Sequence, residues 1–173
     1  MAAAFVTSSM IGVDLQNAST TQQFALGTKV FGSNNSEWEY ILASGSIATG
    51  VFVQCYTSGT AGPITTALLV YNSQGLDIGV AQFTISAGSY GFVAKRGNSL
   101  YALVSGSSVP GGAGLAFSAF AGAICTSLGA AAGNSAMGIF LTNSSNPAVA
   151  DTRVVVEGLT MVWPRSPVVA NPA

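Results

Sequence analysis

The sequence predicts an all-β fold, an antiparallel sandwich of jelly-roll-like type with extended arms at both ends. Three observations carry that expectation. Apolar residues alternate with polar or small ones through a succession of short runs, the pattern of strands with one buried face. Clusters of Gly, Asn, Ser and Pro interrupt these runs at intervals of roughly 8 to 12 residues, the spacing of a sandwich or barrel. No stretch keeps a convincing helical spacing of apolar residues. The expected organisation is an N-terminal arm over residues 1–23, a sandwich domain over 24–163 and an extended tail over 164–173.

In the arm, Asp14 is the only charged side chain, and Phe5, Met10, Ile11, Val13 and Leu15 follow no clean period. The AAAFV run is cut by Thr7-Ser8-Ser9 and lacks a basic flank, so no secretion signal is expected. A first strand is expected at 24–31, closed by Gly32-Ser33-Asn34-Asn35, and a second at 37–42. In the second, Trp38, Tyr40 and Leu42 share one face, which leaves Glu37 and Glu39 together on the other, expected to be solvated. Their separation of roughly 7 Å falls within the span of a glycosidase carboxylate pair, but no neighbouring residue would raise a carboxyl pKa. Further strands are expected at 50–56, with Val51, Val53 and Cys55 on one face, and at 64–71, after a breaker Gly59-Thr60-Ala61-Gly62-Pro63.

Residues 78–105 read as a three-stranded meander with turns at Ala87-Gly88-Ser89 and Arg96-Gly97-Asn98. The loop Val109-Pro110-Gly111-Gly112-Ala113-Gly114 lacks the Lys and Ser/Thr that a phosphate-binding loop needs. Residues 115–132 are long enough for a membrane span, but their hydropathy comes from Ala and no basic residue flanks them. They read as strand, turn, strand, with no membrane contact. Met137, Ile139 and Leu141 mark a strand at 136–142. Another is expected at 152–163, where a bulge at Gly158 shifts the apolar phase from Val154 and Val156 to Leu159, Met161 and Trp163. Pro164, Pro167 and Pro172 make the tail extended and keep it out of a central strand.

Composition narrows the chemistry. The 173 residues suffice for one domain with a substantial core. Only 6% are charged, against about 25% in an ordinary soluble domain. The exterior is therefore either neutral and polar or covered by copies of the chain or by a partner. A hydrophobic fraction of 49% excludes a disordered chain, and a net charge of -1 excludes a nucleic-acid binder. With no histidine, Ser-His-Asp and Cys-His arrangements and His-containing metal sites are excluded. Cys55 and Cys125 read as buried thiols, with a disulfide as the alternative. No enzyme activity, catalytic residue, cofactor or metal is expected.

The run Ile78-Gly79-Val80-Ala81-Gln82, the following ISAGSYGFVAKRG, a Gly-rich loop and an Ala/Gly-rich segment together resemble the small cement, or decoration, proteins of tailed-phage heads. The closing DTRVVVEGLTMVWPR is similar to their final strand, and the resemblance covers residues 75 to 163. It implies a structural virion protein on the outer capsid surface, made in the bacterial cytoplasm with its cysteines reduced. Its expected partners are the major capsid protein and copies of itself, as a dimer or trimer. Phe5, Ile11, Trp163 and Arg165 are the candidate interface residues, Trp and Arg being enriched at binding hot spots. The alternative is a jelly-roll glycan-binding module of a tail fibre or spike, with Tyr56, Tyr71, Tyr90 and Tyr101 as stacking platforms.

Overall fold

Strands account for all the regular structure that the computed structural model describes, which comprises residues 13–32, 36–64 and 77–104 and the backbones of 114–117, 124–126, 135–141 and 154–161. In chain order they are β1 (Lys29–Phe31), β2 (Glu37–Ala43), β3 (Phe52–Cys55), β4 (Thr60–Pro63), β5 (Asp77–Val80), β6 (Tyr90–Val104), β7 (Gly114–Phe117), β8 (Ile124–Thr126), β9 (Ser135–Leu141) and β10 (Val154–Met161). There is no helix among the described residues, so the all-β expectation holds.

The pairings close into two rings. In the first, β2 pairs with β4, β4 with β3, β3 with β5, β5 with β6, and β6 returns to β2. In the second, β6 pairs with β8, β8 with β7, β7 with β9, β9 with β10, and β10 returns to β6. The two rings have the same topology. In each, the first and third strands are parallel and every other ladder is antiparallel. The 15-residue β6 is the last strand of one ring and the first of the other.

The sequence carries a trace of this duplication. Tyr40-Ile41-Leu42-Ala43-Ser44-Gly45-Ser46, which begins in the first strand of ring one, recurs in the sequence as Tyr101-Ala102-Leu103-Val104-Ser105-Gly106-Ser107, which begins in the first strand of ring two.

The second predicted meander turn, Arg96-Gly97-Asn98, is replaced by continuous strand. At this point β6 changes partners instead of reversing: Arg96 pairs with Glu37 of β2 and Gly97 with Met161 of β10, with register shifts on both sides. The first predicted turn holds, with Gly88 at φ 74° and the Ser89 N–H donating to the Ser86 carbonyl. The predicted breaker at 59–63 is mostly strand: Thr60–Pro63 is β4, wedged between β2 and β3. Pro63 sits at its last position, two residues beyond Ala61, where the ladder with β2 ends, so on that side β4 is an edge that tolerates a missing donor. The predicted strand at 24–31 shrinks to β1, because Thr28 N–H and Oγ1 both donate to the Ala25 carbonyl and turn the chain. The predicted strand at 64–71 falls, past Ile64, outside the described residues. The remaining strands lie where periodicity put them, and a register shift between Val156 and Leu159 matches the bulge expected at Gly158.

Two apolar clusters fill the described part, one on each face of β2. Trp38 and Tyr40 join Phe52, Val80, Phe92 and Leu100, while Ile41 and Ala43 join Val53, Cys55, Val93 and Leu103. The first cluster centres on Tyr40, whose ring lies 4.9 Å from Phe92 and 5.2 Å, edge-on, from Phe24. Such pairs add about 0.5–1.5 kcal/mol beyond burial. Residues 13–23 run over this cluster: Leu15 is buried in it, Ser19 bridges to Tyr90, and Gln23 N–H donates to the Tyr40 hydroxyl.

Along its second half β6 keeps β10 on one edge. On the other, Leu103 N–H donates to the Gly50 carbonyl, and the Gln82 side chain both accepts from Tyr101 N–H and donates to its carbonyl. Gly50, at φ 79°, has Leu103 N only 3.0 Å from where a Cβ would stand, so only glycine permits this approach.

Candidate functional site

Four strands of ring one bring chemically active side chains to the same face. Cys55 of β3 pairs with Asp77 of β5, Glu39 of β2 pairs with Val93 of β6, and Lys95 stands two residues beyond Val93. Paired residues and residues two apart share a face. There the Lys95 ammonium donates a hydrogen bond to Asp77 Oδ1 and lies 3.5 Å from Glu39 Oε2. The Lys95 side chain is 3% exposed and that of Glu39 7%, whereas Asp77 is 51% exposed. The sequence-based expectation of a solvated Glu39 is therefore wrong. Both faces of β2 are covered, and the Glu39 side chain is buried rather than solvated.

Burial alone would push the Lys95 ammonium down. The neighbouring Cys55 sulfur, the hydrogen bond and charge of Asp77 and the charge of Glu39 outweigh it, and Lys95 is held above its ordinary value. Burial also dominates at Cys55, and with the two carboxylates added its thiol is pushed up to about 12, so it stays protonated. With all three charged groups ionised the cluster keeps a net negative charge. One ammonium serves two carboxylates, and Glu39 Oε2 accepts no hydrogen bond.

A pocket of about 360 Å³ opens onto this cluster. Glu39, Gln54, Cys55, Tyr56 and Asp77 line it, with Leu26 and Gly59 at its wall. Gln54 Oε1 is buried without a donor. Gly59, at φ 80°, lies so close to Leu26 that a Cβ would overlap the Leu26 side chain, which makes glycine obligatory at the rim. Tyr56 is 39% exposed. Chemically the site offers a buried amine, two carboxyls, an amide and a thiol. No group of three or more His, Cys, Asp or Glu side chains is placed to hold a metal among the described residues.

The four residues singled out from the sequence, Phe5, Ile11, Trp163 and Arg165, lie outside the described residues and are not brought to this site. Of the tyrosine platforms, Tyr56 is at the pocket, Tyr90 stacks on Tyr40 at 6.0 Å, Tyr101 is half-buried and Tyr71 lies outside. Cys55 is buried and free, as expected of a small apolar residue. The Lys95 and Asp77 pairing was missed. The available signal was the alternation Gly91, Val93, Lys95, which puts a lysine on an apolar face.

The other surface feature is the outer edge of β1. Among the described residues β1 pairs only with β2, and Phe31 on it is 61% exposed. Lys29 and Glu37 form an ion pair across this ladder at 3.4 Å. No family model matches the chain, and the search of curated proteins returned no match.

Proposed function

We propose that the chain is a structural virion protein, a cement or decoration protein that binds the outer face of a tailed-phage capsid and stabilises the shell. The observation that carries this reading is the distribution of charge. No charged residue occurs between Gly97 and Ala150, the stretch that supplies most of ring two, and the whole chain is only 6% charged. Surfaces poor in charge lose little solvation when they pack against a neighbour, and charged residues are depleted from interface cores. The open β1 edge with Phe31 is a second surface suited to contact.

The partners in this reading are the major capsid protein and further copies of the chain, with Phe5, Ile11, Trp163 and Arg165 in the contacts and no enzymatic role. The antiparallel ladders support the jelly-roll-like sandwich that goes with it, while the two parallel ladders and the ring closures weigh toward a barrel. Light scattering of the purified chain, followed by sedimentation with empty phage shells, tests the proposal. A dimer or trimer that pellets with the shells is the expected result; a monomer left in the supernatant overturns it.

The pocket supports a second reading, a glycan-binding module of a phage tail fibre or spike. An exposed tyrosine beside an amide and carboxylates is the lining that a sugar needs, with Tyr56 for stacking and Gln54 and Asp77 for hydroxyl groups. Glycan-array binding that is lost in Tyr56→Ala would favour it, and an array with no signal would count against it.

A further inference from the structure

We propose that Lys95 and Asp77 condense into an intramolecular amide that staples β5 to β6, with Glu39 as the proton relay. The inference stands whether or not the chain decorates a capsid. It rests on three observations.

The reacting atoms are already together. Lys95 Nζ is in direct contact with Asp77 Oδ1, and both side chains are fixed on neighbouring strands. Such positioning converts a bimolecular condensation into a local step. Glu39 Oε2 lies 3.5 Å from the same nitrogen and has no hydrogen-bond donor holding it elsewhere.

The fold does not need these charges. By the recurring tyrosine motif, Leu100 stands in ring two where Glu39 stands in ring one. Phe117 ends β7 opposite Ile124 as Cys55 ends β3 opposite Ala61. Met161 lies two residues beyond Leu159, the partner of Leu100, as Lys95 lies two beyond Val93, the partner of Glu39. Ring two thus closes with apolar residues at these positions. A buried lysine between carboxylates is a poor way to stabilise the same ring, because desolvation offsets most of the attraction.

The staple would lie at the shortest ladder of ring one. Among the described residues a single residue pair, Val80 with Ala94, registers β5 on β6, while the β2–β6 and β3–β5 ladders are longer. An amide between Asp77 and Lys95 would close that seam covalently.

The chemistry balances without an oxidant or cofactor. Proton transfer within the ion pair gives the neutral amine and the carboxylic acid. The amine nitrogen attacks Asp77 Cγ, Glu39 takes a proton from the nitrogen and delivers it to the departing hydroxyl, and one water leaves as the C–N bond forms. The half-exposed Asp77 carboxyl, at the pocket, gives that water its exit. Because the charged pair and the neutral pair differ only in where one proton sits, the rate should not change with pH across the neutral range. The protonated Cys55 thiol does not compete for Asp77 as a thiolate.

The test is the intact mass of the folded full-length chain, followed by a peptide map. The expected wild-type mass is one water below that of Asp77→Ala and Lys95→Arg after correction for the substitutions, with one branched peptide joining the two strands. Lys95 should also resist amine-reactive labelling after denaturation. In Asp77→Asn the same branched peptide should form with loss of ammonia instead, and Glu39→Gln should fold but form the bond slowly or not at all. A folded wild-type chain that keeps its full mass after prolonged incubation and yields a labelled Lys95 overturns the proposal, as does a water loss that persists in Asp77→Ala.

Discussion

The two rings share a strand and a topology but are built from different chemistry. Ring one holds Glu37, Glu39, Asp77, Lys95 and Arg96 in its strands, and Glu157 is the only charged residue in the strands that ring two adds. Yet each runs parallel between its first and third strands and hairpins between its second and third. The same ring topology therefore closes both with and without a cluster of charged residues on its strands. The charged cluster is an addition to ring one and not a condition for forming it.

The strongest way to break that comparison is Lys95→Met, which gives ring one the residue ring two has. With the buried Glu39 carboxylate left unpaired, stability should fall by about 3–5 kcal/mol in denaturant titrations. Adding Glu39→Leu should restore most of the loss by completing the ring-two pattern, and a double variant no better than the single one would show that the rings are not interchangeable. The seam between the rings comes next. Gln82→Met removes the two hydrogen bonds that the Gln82 side chain makes to the Tyr101 backbone, which should lower stability by about 1–3 kcal/mol.

Alkaline titration separates the cluster's groups. Cys55 has a folded value raised from 9.0 to about 12, so its contribution is complete below 9 and is lost as pH rises toward 12. The slope should be at most about 1.4 kcal/mol per pH unit. Lys95 is also raised, so as an ammonium it gives a loss of the same sign that begins above 10.5. Cys55→Ala should remove the first part of the slope, and a chain carrying the Lys95–Asp77 amide should lack the second. The smallest effect is expected at the β1 edge, where Lys29→Ala breaks a solvent-exposed pair and should shift stability by under about 1 kcal/mol.

Period-two alternation located β2, β3 and β7 to β10 because a strand's side chains read out burial directly. It misread Arg96-Gly97-Asn98, since a glycine between polar residues is the signature of a turn and also of a bulge where a strand changes partner. It misread Glu39 because alternation assumes one wet face, and β2 has none. The Tyr40 and Tyr101 motifs were not read as a repeat, because two seven-residue stretches gain meaning only when each is seen to open a ring.

Composition and periodicity by themselves determined that the chain is made of strands, holds few charges and has no histidine chemistry. Those properties are local or additive and need no knowledge of partners. Which strands pair in parallel, that β6 serves both rings, and that Lys95 meets Asp77 and Glu39 were decided by the tertiary structure alone. The three residues come from three strands, and only ring closure brings β2, β5 and β6 together so that one buried ammonium faces two carboxylates.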